Sequence, residues 1–303
     1  MSRTILVTGA TGKQGRSLIT ALQDANADLD ILALTRDTSS ASAKKLLSNK
    51  RVQLLAGDLN KPDEIFVAAS KLTSSPVWGV FSVQLAIDNP NEEKQGKDLV
   101  DASLKAGVKH FVYSSIDRGG EAKSDVRPTY VPHFKSKFNV EQHLLSQAKD
   151  RMTWTILRPV AFFDNLTPDF FGKIFTTAWL THLKPNQKLQ LIATSDIGFF
   201  AAQALLKPDE YVNKKMSLAG DELTLDEFKA IFKQTTGQTL PTTFSFLANL
   251  LCWFLKDFGL MYKWFAEVGY GADVASLKKV NPGLKDFKAW LEQDSAFRSK
   301  KRT

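Results

Sequence analysis

The sequence predicts an α/β fold built on a doubly wound parallel sheet, and three observations carry that expectation. The chain opens on a short apolar run, residues 3–8 (RTILVT), which passes directly into Gly9-Ala-Thr-Gly-Lys-Gln-Gly15 and then into a helix-forming run at residues 17–22. Runs rich in β-branched and aromatic residues then alternate with helical patterns at the spacing of successive βαβ units as far as Arg158. Beyond Pro159 the alternation breaks, and aromatic helical patterns replace it.

Strand, glycine turn and helix form the context in which a dinucleotide fingerprint carries meaning. Gly9 would allow the tight turn off the strand. A side chain at position 12 would block a pyrophosphate from the backbone, so Gly12 opens that approach. Gly15 would let the helix pack on the sheet. The helix start offers amides and the positive end of its dipole to an anion. The alternative is an ordinary strand-to-helix corner using glycine for turn chemistry alone. Lys13 in the first helical turn opposes the dipole, which makes more sense beside a bound anion.

Residues 29–35 form the second expected strand, ending at Arg36. An acidic residue here would bond the adenosine ribose hydroxyls and favour NAD. A guanidinium instead suits a 2′-phosphate by charge and by its fork of donors. NADP is therefore preferred over NAD, the alternative being a surface arginine at a strand end. A short helix at 41–47 leads to the third strand, 51–56, closed by Gly57-Asp58-Leu59. Asp58 can reach an adenine amino group or cap the next helix, 61–72, which has Pro62 in its first turn. The fourth strand, 76–83, ends at Gln84 and Leu85, where a ribose of the dinucleotide would lie. A long helix at 91–106 and a fifth strand at 109–114 follow. Right-handed crossovers would bring the glycine turn, Arg36, Asp58, Gln84 and Ser114 or Ser115 to one rim.

Residues 116–132, with Gly119, Gly120, Pro128 and Pro132, read as an irregular loop over that rim. A helix at 134–148 and a strand at 153–158 come next. The later part predicts an aromatic helix at 168–180 and a strand at 188–193. Ser195 and Asp196 read as the N-cap of a helix through Leu206. A strand near 215–218 and a helix at 224–236 follow, the latter opened by Thr224 and Glu227 in a capping-box arrangement. In the section 244–270, Phe244, Leu247, Leu251, Phe254 and Phe258 recur at helical spacing, and Phe246, Leu250 and Trp253 add a second stripe. These side chains either pack on one another and their surroundings or form an apolar substrate pocket or protein-docking face.

Composition bounds the rest. The 303 residues are 43% hydrophobic and 24% charged, as expected of a soluble globular protein. Cys252 is the one cysteine, so no disulfide forms within the chain and a reducing compartment is expected, the cytoplasm with the nucleus as a second location. The chain enters a strand at once, without the pattern of a signal or transit peptide. The longest nearly apolar run, 244–255, is too short to span a bilayer. The net charge of +8 suits an anionic cofactor or nucleic acid. The tail 298–303 carries four cations in six residues and reads as a solvated end, or else as a nucleic-acid arm or nuclear signal. No zinc spacing, helix-turn-helix signature or RNA-binding motif stands out, so neither a metal nor a nucleic-acid partner is expected.

Several runs together resemble the NmrA-like family of atypical short-chain dehydrogenases, which includes a fungal nitrogen regulator and redox-sensing relatives. They are Thr8 to Gly15, Leu34-Thr-Arg36, Gly57-Asp-Leu59, Glu93-Lys-Gln-Gly-Lys97, His133-Phe-Lys-Ser-Lys137 with Val140-Glu141, Leu157-Arg-Pro159 and Phe163-Asp-Asn165. The resemblance spans essentially the whole chain and is strongest over residues 3–165. It implies an NADP(H)-binding Rossmann domain at 1–160, to which a later strand returns, and a smaller mixed α/β C-terminal domain at 161–303 for substrate or partner. By the same resemblance Gly9, Ala10, Thr11, Gly12, Lys13 and Gln14 would hold the pyrophosphate and Arg36 the 2′-phosphate. Asp58 and Leu59 would flank the adenine. Gln84, Leu85 and Lys94 would contact the cofactor's middle, Lys137 the nicotinamide ribose, and Phe162, Phe163, Asp164 and Asn165 would lie by the nicotinamide.

A working short-chain reductase carries Tyr-x-x-x-Lys on one helix face, where the lysine lowers the pKa of a proton-donating tyrosine. Here Lys137 is present, but His133 stands one turn earlier, and Tyr130 lies across Pro132. Lys137, His133 and Ser115, or its neighbour Ser114, are the candidate catalytic groups, with a plain structural role for His133 as the alternative. Two functions follow from different classes. One is a redox sensor that binds NADP(H) and passes the signal to a regulatory protein. The other is an NADPH-dependent reductase of a small hydrophobic carbonyl or quinone.

Overall fold

The computed structural model describes residues 2–87 and 89–298. Of the basic tail only Arg298 is among them, and residues 299–303 lie outside the described residues. In chain order the first elements are β1 (Arg3–Val7), α1 (Lys13–Asp24), β2 (Leu29–Thr35), α2 (Ala41–Lys44), β3 (Val52–Ala56), α3 (Pro62–Leu72), β4 (Val77–Ser82), α4 (Glu92–Lys105) and β5 (His110–Ser114). Then come α5 (Glu121–Val126), α6 (Pro132–Ala148), β6 (Thr153–Pro159), β7 (Ala161–Phe162), α7 (Phe170–His182), β8 (Lys188–Ile192), α8 (Thr194–Leu206), α9 (Pro208–Tyr211), β9 (Lys214–Leu218) and β10 (Asp221–Thr224). The last helices are α10 (Leu225–Thr236), α11 (Ser245–Phe254), α12 (Lys256–Glu267), α13 (Val274–Val280) and α14 (Phe287–Gln293).

The larger sheet has the order β3-β2-β1-β4-β5-β6-β9, the order of a Rossmann sheet with a strand added beyond β6. The pairs β1–β2, β1–β4, β2–β3, β4–β5 and β5–β6 are all parallel. Such strands are covered on both faces, which is why their sequences are nearly continuous apolar runs instead of alternating ones. Leu6, Leu32, Val80, Phe111 and Ile156 supply one core, closed by Leu99 and Val100 of α4 and Val140 and Leu144 of α6. A Cβ at Gly96 would stand 2.6 Å from Val140 Cγ2, so α4 lies unusually close on α6. Gly198 gives α8 the same closeness to α1, its absent Cβ falling 2.4 Å from the backbone carbon of Ser17. A second sheet has the order β10-β8-β7.

The chain condenses into two compact units. One is Met1–Ile116, Lys135–Arg158 and Ile197–Met216; the other is Asp117–Phe134, Pro159–Asp196 and Ser217–Thr303. The polypeptide leaves the first unit after Ile116 and twice returns to it.

Several local expectations need correction. Residues 121–126 of the supposed loop form α5. The buried Arg118 holds it, Nη2 donating to Ser124 O and Nε to Arg127 O at 3.1 Å. Helix α8 begins one residue before the expected cap. Its first amide, Thr194 N–H, donates 2.9 Å to Asp164 Oδ2, while Asp196 accepts from Lys285 N–H and from Asn281. The aromatic helix α7 starts at Phe170, capped by Asp169 accepting from Gly172 N–H. Residues 41–47 split into α2 and a 3₁₀ turn through Ser48. The capping box of α10 forms as expected.

The aromatic section breaks at Leu255 into α11 and α12. Helix α12 packs inward through Tyr262, Trp264 and Phe265, and Ala248 and Cys252 of α11 do the same. The rest of α11 does not bury itself: Phe246, Trp253 and Phe254, with the preceding Phe244, are 65–71% exposed. Among the described residues no helix is long and apolar enough to cross a membrane.

Candidate functional site

The first unit carries the glycine turn at the carboxyl end of β1. Thr8 fixes it, its Oγ1 donating to Val83 O and accepting from Val83 N–H at 2.9 and 2.8 Å. Gly9 has φ +56°, where an L side chain is strained, and Gly12 N–H donates back to Gly9 O at 2.9 Å. A Cβ on Gly15 would stand 2.3 Å from Gly9 O and 2.7 Å from Gly9 C. The third glycine therefore serves the turn's own backbone, not helix-on-sheet packing as the spacing suggested. Gly12 is the extended N-cap of α1; no side chain caps that helix and no carboxylate occupies its first turn. An uncapped helix start over a glycine turn is a fitting receptor for a pyrophosphate. The Gln14 side chain is partly engaged, its Oε1 accepting from Ser114 Oγ at 2.5 Å.

Arg36 projects from the end of β2 and is exposed. Among the described residues its guanidinium forms no hydrogen bond or ion pair. Asp58, also exposed, accepts at Oδ1 from Asn60 N–H and Asn60 Nδ2 at 3.0 and 2.9 Å. These bonds, aided by the Arg36 charge, hold its carboxyl below the usual range. It caps no helix, since α3 has Lys61 at its N-cap and no capping side chain. Both bonds fall on Oδ1. Leu59 is half-buried beside it. Past β4, Gln84 is 5% exposed; its Nε2 donates to Ser82 Oγ and its buried Oε1 has no partner among the described residues. A buried amide oxygen left unpaired is costly unless a ligand donor meets it. Leu85 is 71% exposed, and Lys94 pairs with Asp98 one turn further along α4.

Lys137 on α6 is 5% exposed. Its Nζ lies 3.1 Å from Glu92 Oε1, donates to Ser114 O at 3.3 Å, and sits 5.8 Å over the Tyr113 ring. Glu92, buried at the start of α4, was not visible as a site residue in the sequence; the pairing spans the α4–α6 contact that Gly96 permits. Ser115 is 2% exposed and donates to Glu141. Glu141 also takes a two-point contact from the fully buried Arg158, at 3.1 and 2.6 Å. Ser115 thus belongs to a buried core network.

In the second unit, His133 is 5% exposed and its Nδ1 lies 2.6 Å from Asp257 Oδ1. Asp257 is 124 positions away, and no local pattern announced the pair. Tyr130 precedes α6 and donates to Glu267 Oε2 at 2.6 Å, so it takes no place on the helix that carries Lys137. Phe163 is fully buried and stacks on Phe287 and Trp290, with centroids 5.4 and 5.6 Å away. It has no surface to offer a nicotinamide, contrary to expectation. Asp164 secures the start of α8 through Thr194 N–H and Oγ1, at 2.9 and 2.7 Å. Phe162 and Asn165 remain half-buried. A further unforeseen group is Asp117, fully buried, whose carboxylate gathers the amides of Gly119, Gly120 and Gly271 and the Ser217 hydroxyl at 2.6–3.1 Å.

Comparison with known proteins agrees with this architecture. The sequence profile of the NmrA-like family matches residues 1–291. The NmrA-like family domain-containing oxidoreductase FrzB of Cladobotryum sp is 27% identical over 267 residues, 78% of this chain and 75% of that protein. The triphenylmethane reductase of Citrobacter sp., solved with NADP(H), superposes with a TM-score of 0.72 at 20% identity, covering 96% of this chain and 99% of that one. NmrA, a negative transcriptional regulator solved with NAD, gives 0.71 at 18% identity, covering 98% and 96%. At these identities the two solved structures speak to the fold.

Proposed function

The chain belongs to the NmrA-like family, and from that premise we propose that it binds a nicotinamide dinucleotide, prefers NADP(H) to NAD(H), and reports the redox state of that pool. One observation carries the cofactor reading. An uncapped helix start over a glycine turn stands at the end of β1, and an exposed, unpaired guanidinium stands at the end of the adjacent β2. Gly9 through Gly15 would hold the pyrophosphate by their amides, and Arg36 would hold the 2′-phosphate. Asp58 and Leu59 would flank the adenine; Gln84, Leu85 and Lys94 would serve the middle; Lys137 would serve the nicotinamide ribose. Phe162 and Asn165 are the remaining candidates for the nicotinamide end. When bound, the nicotinamide ring supplies hydride-transfer chemistry.

The sensor reading is supported by how the proton-donating groups are committed. No tyrosine precedes Lys137 by one turn, Ser114 donates to Gln14, and Ser115 donates to Glu141. A site that binds the dinucleotide without turning it over would signal through differential affinity for its two redox forms. NADP+ and NADPH titrated separately by calorimetry should give different dissociation constants and different patterns of limited proteolysis. Equal constants with identical cleavage would remove the sensor.

A second reading, an NADPH-dependent oxidoreductase of a hydrophobic carbonyl or quinone, is favoured by His133. Its Nδ1 is engaged by a carboxylate, the arrangement that orients a histidine for acid–base work. Relatives such as FrzB bear oxidoreductase names. This reading predicts NADPH oxidation with some quinones or aromatic aldehydes, abolished in Lys137→Ala; silence across a broad panel would count against it.

A further inference from the structure

The first turn of α4 ties together groups expected at different parts of the dinucleotide. Asn60, which fixes Asp58 through two donated hydrogen bonds, accepts at Oδ1 from Gln95 Nε2 at 3.0 Å. Gln95 Oε1 accepts from Asn89 Nδ2 at 3.1 Å, and the same Nδ2 donates to Leu85 O at 2.9 Å. Asn89 is in turn fastened to the helix start: its Oδ1 accepts from Asn91 N–H and its carbonyl from Glu92 N–H, at 3.1 and 3.2 Å. One unbroken series of hydrogen bonds therefore runs from the carboxylate after β3 to the backbone after β4. Gln95 is its central link, donating to Asn60 on one side and accepting from Asn89 on the other. Lys94, the neighbour expected to touch cofactor, turns instead to Asp98.

We propose that Gln95 is a positioning residue that couples the adenine half of the bound dinucleotide to the backbone at Leu85, so that occupation of the Asp58 end orders the Leu85 end before the nicotinamide half is engaged. The proposal rests on the cofactor reading above. Its chemistry is specific. An amide is needed at position 95, because Asn60 presents a carbonyl oxygen that requires a donor, while Asn89 presents an amine that requires an acceptor. Glutamate at 95 keeps the bond to Asn89 and loses the bond to Asn60, which separates coupling from local support of α4.

Hydrogen exchange at Leu85 and Ala86 tests it, with adenosine 2′,5′-bisphosphate as the probe because it lacks the nicotinamide half. In the full wild-type chain the probe should slow exchange at both amides severalfold. In Gln95→Glu and Gln95→Ala the probe should bind within about twofold of wild type without slowing that exchange, and NADP+ affinity should fall about fivefold to tenfold, as for loss of one hydrogen bond. Probe binding to wild type with unchanged exchange, or slowing that persists in Gln95→Glu, would overturn the coupling alone. If wild type bound neither the probe nor NADP+, the cofactor reading and the coupling would fall together.

Discussion

The two units contrast in how some of their candidate site residues are used. In the first, Arg36, Asp58 and Leu85 stand exposed past strand ends, and Gln84 keeps a buried oxygen unpaired. In the second, Phe163 is a plate in an aromatic stack, Asp164 anchors a helix, and His133 is fastened to Asp257. A motif points to a ligand where the fold leaves its groups unspent. The same residue types report only on construction where neighbours have already used them.

The largest effect that would break this contrast is at Gly15. Its Cβ would meet backbone, which cannot step aside, so Gly15→Ala should cost about 3 kcal/mol of stability by the scale of overpacking and abolish measurable NADP+ binding. Wild-type denaturation midpoints and affinity would show that the turn is not the tight receptor described.

Next in size are two pH effects of opposite sign, one in each unit. Burial pushes His110 in β5 down to about 4. The unfolded chain then takes the proton first, so this group's contribution to stability is whole above pH 6.5 and is lost as pH falls toward 4. Burial pushes Asp196 up to about 6, against the hydrogen bond from Lys285 N–H. Here the folded state holds the proton longer, so stability falls as pH rises from about 4 to 6. His110→Gln should flatten the acid loss, and Asp196→Asn should gain on wild type with rising pH, each by up to about 3 kcal/mol. Urea unfolding from pH 4 to 8 reads both, and parallel curves for variant and parent would contradict them.

The smallest effect is the sharpest for the second unit. Asp164→Ala should cost about 1 kcal/mol through the lost anchor of α8 and leave NADP+ affinity unchanged. A fall in affinity at constant stability would return Asp164 to the ligand.

The first unit was legible because its rules are local. Parallel strands announce themselves as apolar runs, and a turn that must approach an anion needs glycine at fixed offsets. Even there the use of Gly15 was misplaced, because which atoms a missing Cβ would strike depends on how the turn folds back. The pairings that decide the rest are nonlocal. Glu92 meets Lys137 only through the α4–α6 contact, and Asp257 meets His133 across 124 positions of sequence. Helical spacing likewise could not show that α11 breaks at Leu255 and leaves Phe246, Trp253 and Phe254 in the open. Periodicity gives the width of an apolar stripe, not how much of it finds a neighbour.

The central claim is that the glycine turn and Arg36 together hold a 2′-phosphorylated dinucleotide. Calorimetric titration of NADP+ and NAD+ into wild type and Arg36→Ala tests it most directly. The account predicts at least tenfold tighter binding of NADP+ by wild type and near-equal affinities in the variant, the loss matching a charge-assisted contact. No heat with either dinucleotide, or a preference for NADP+ that survives without the guanidinium, would contradict it.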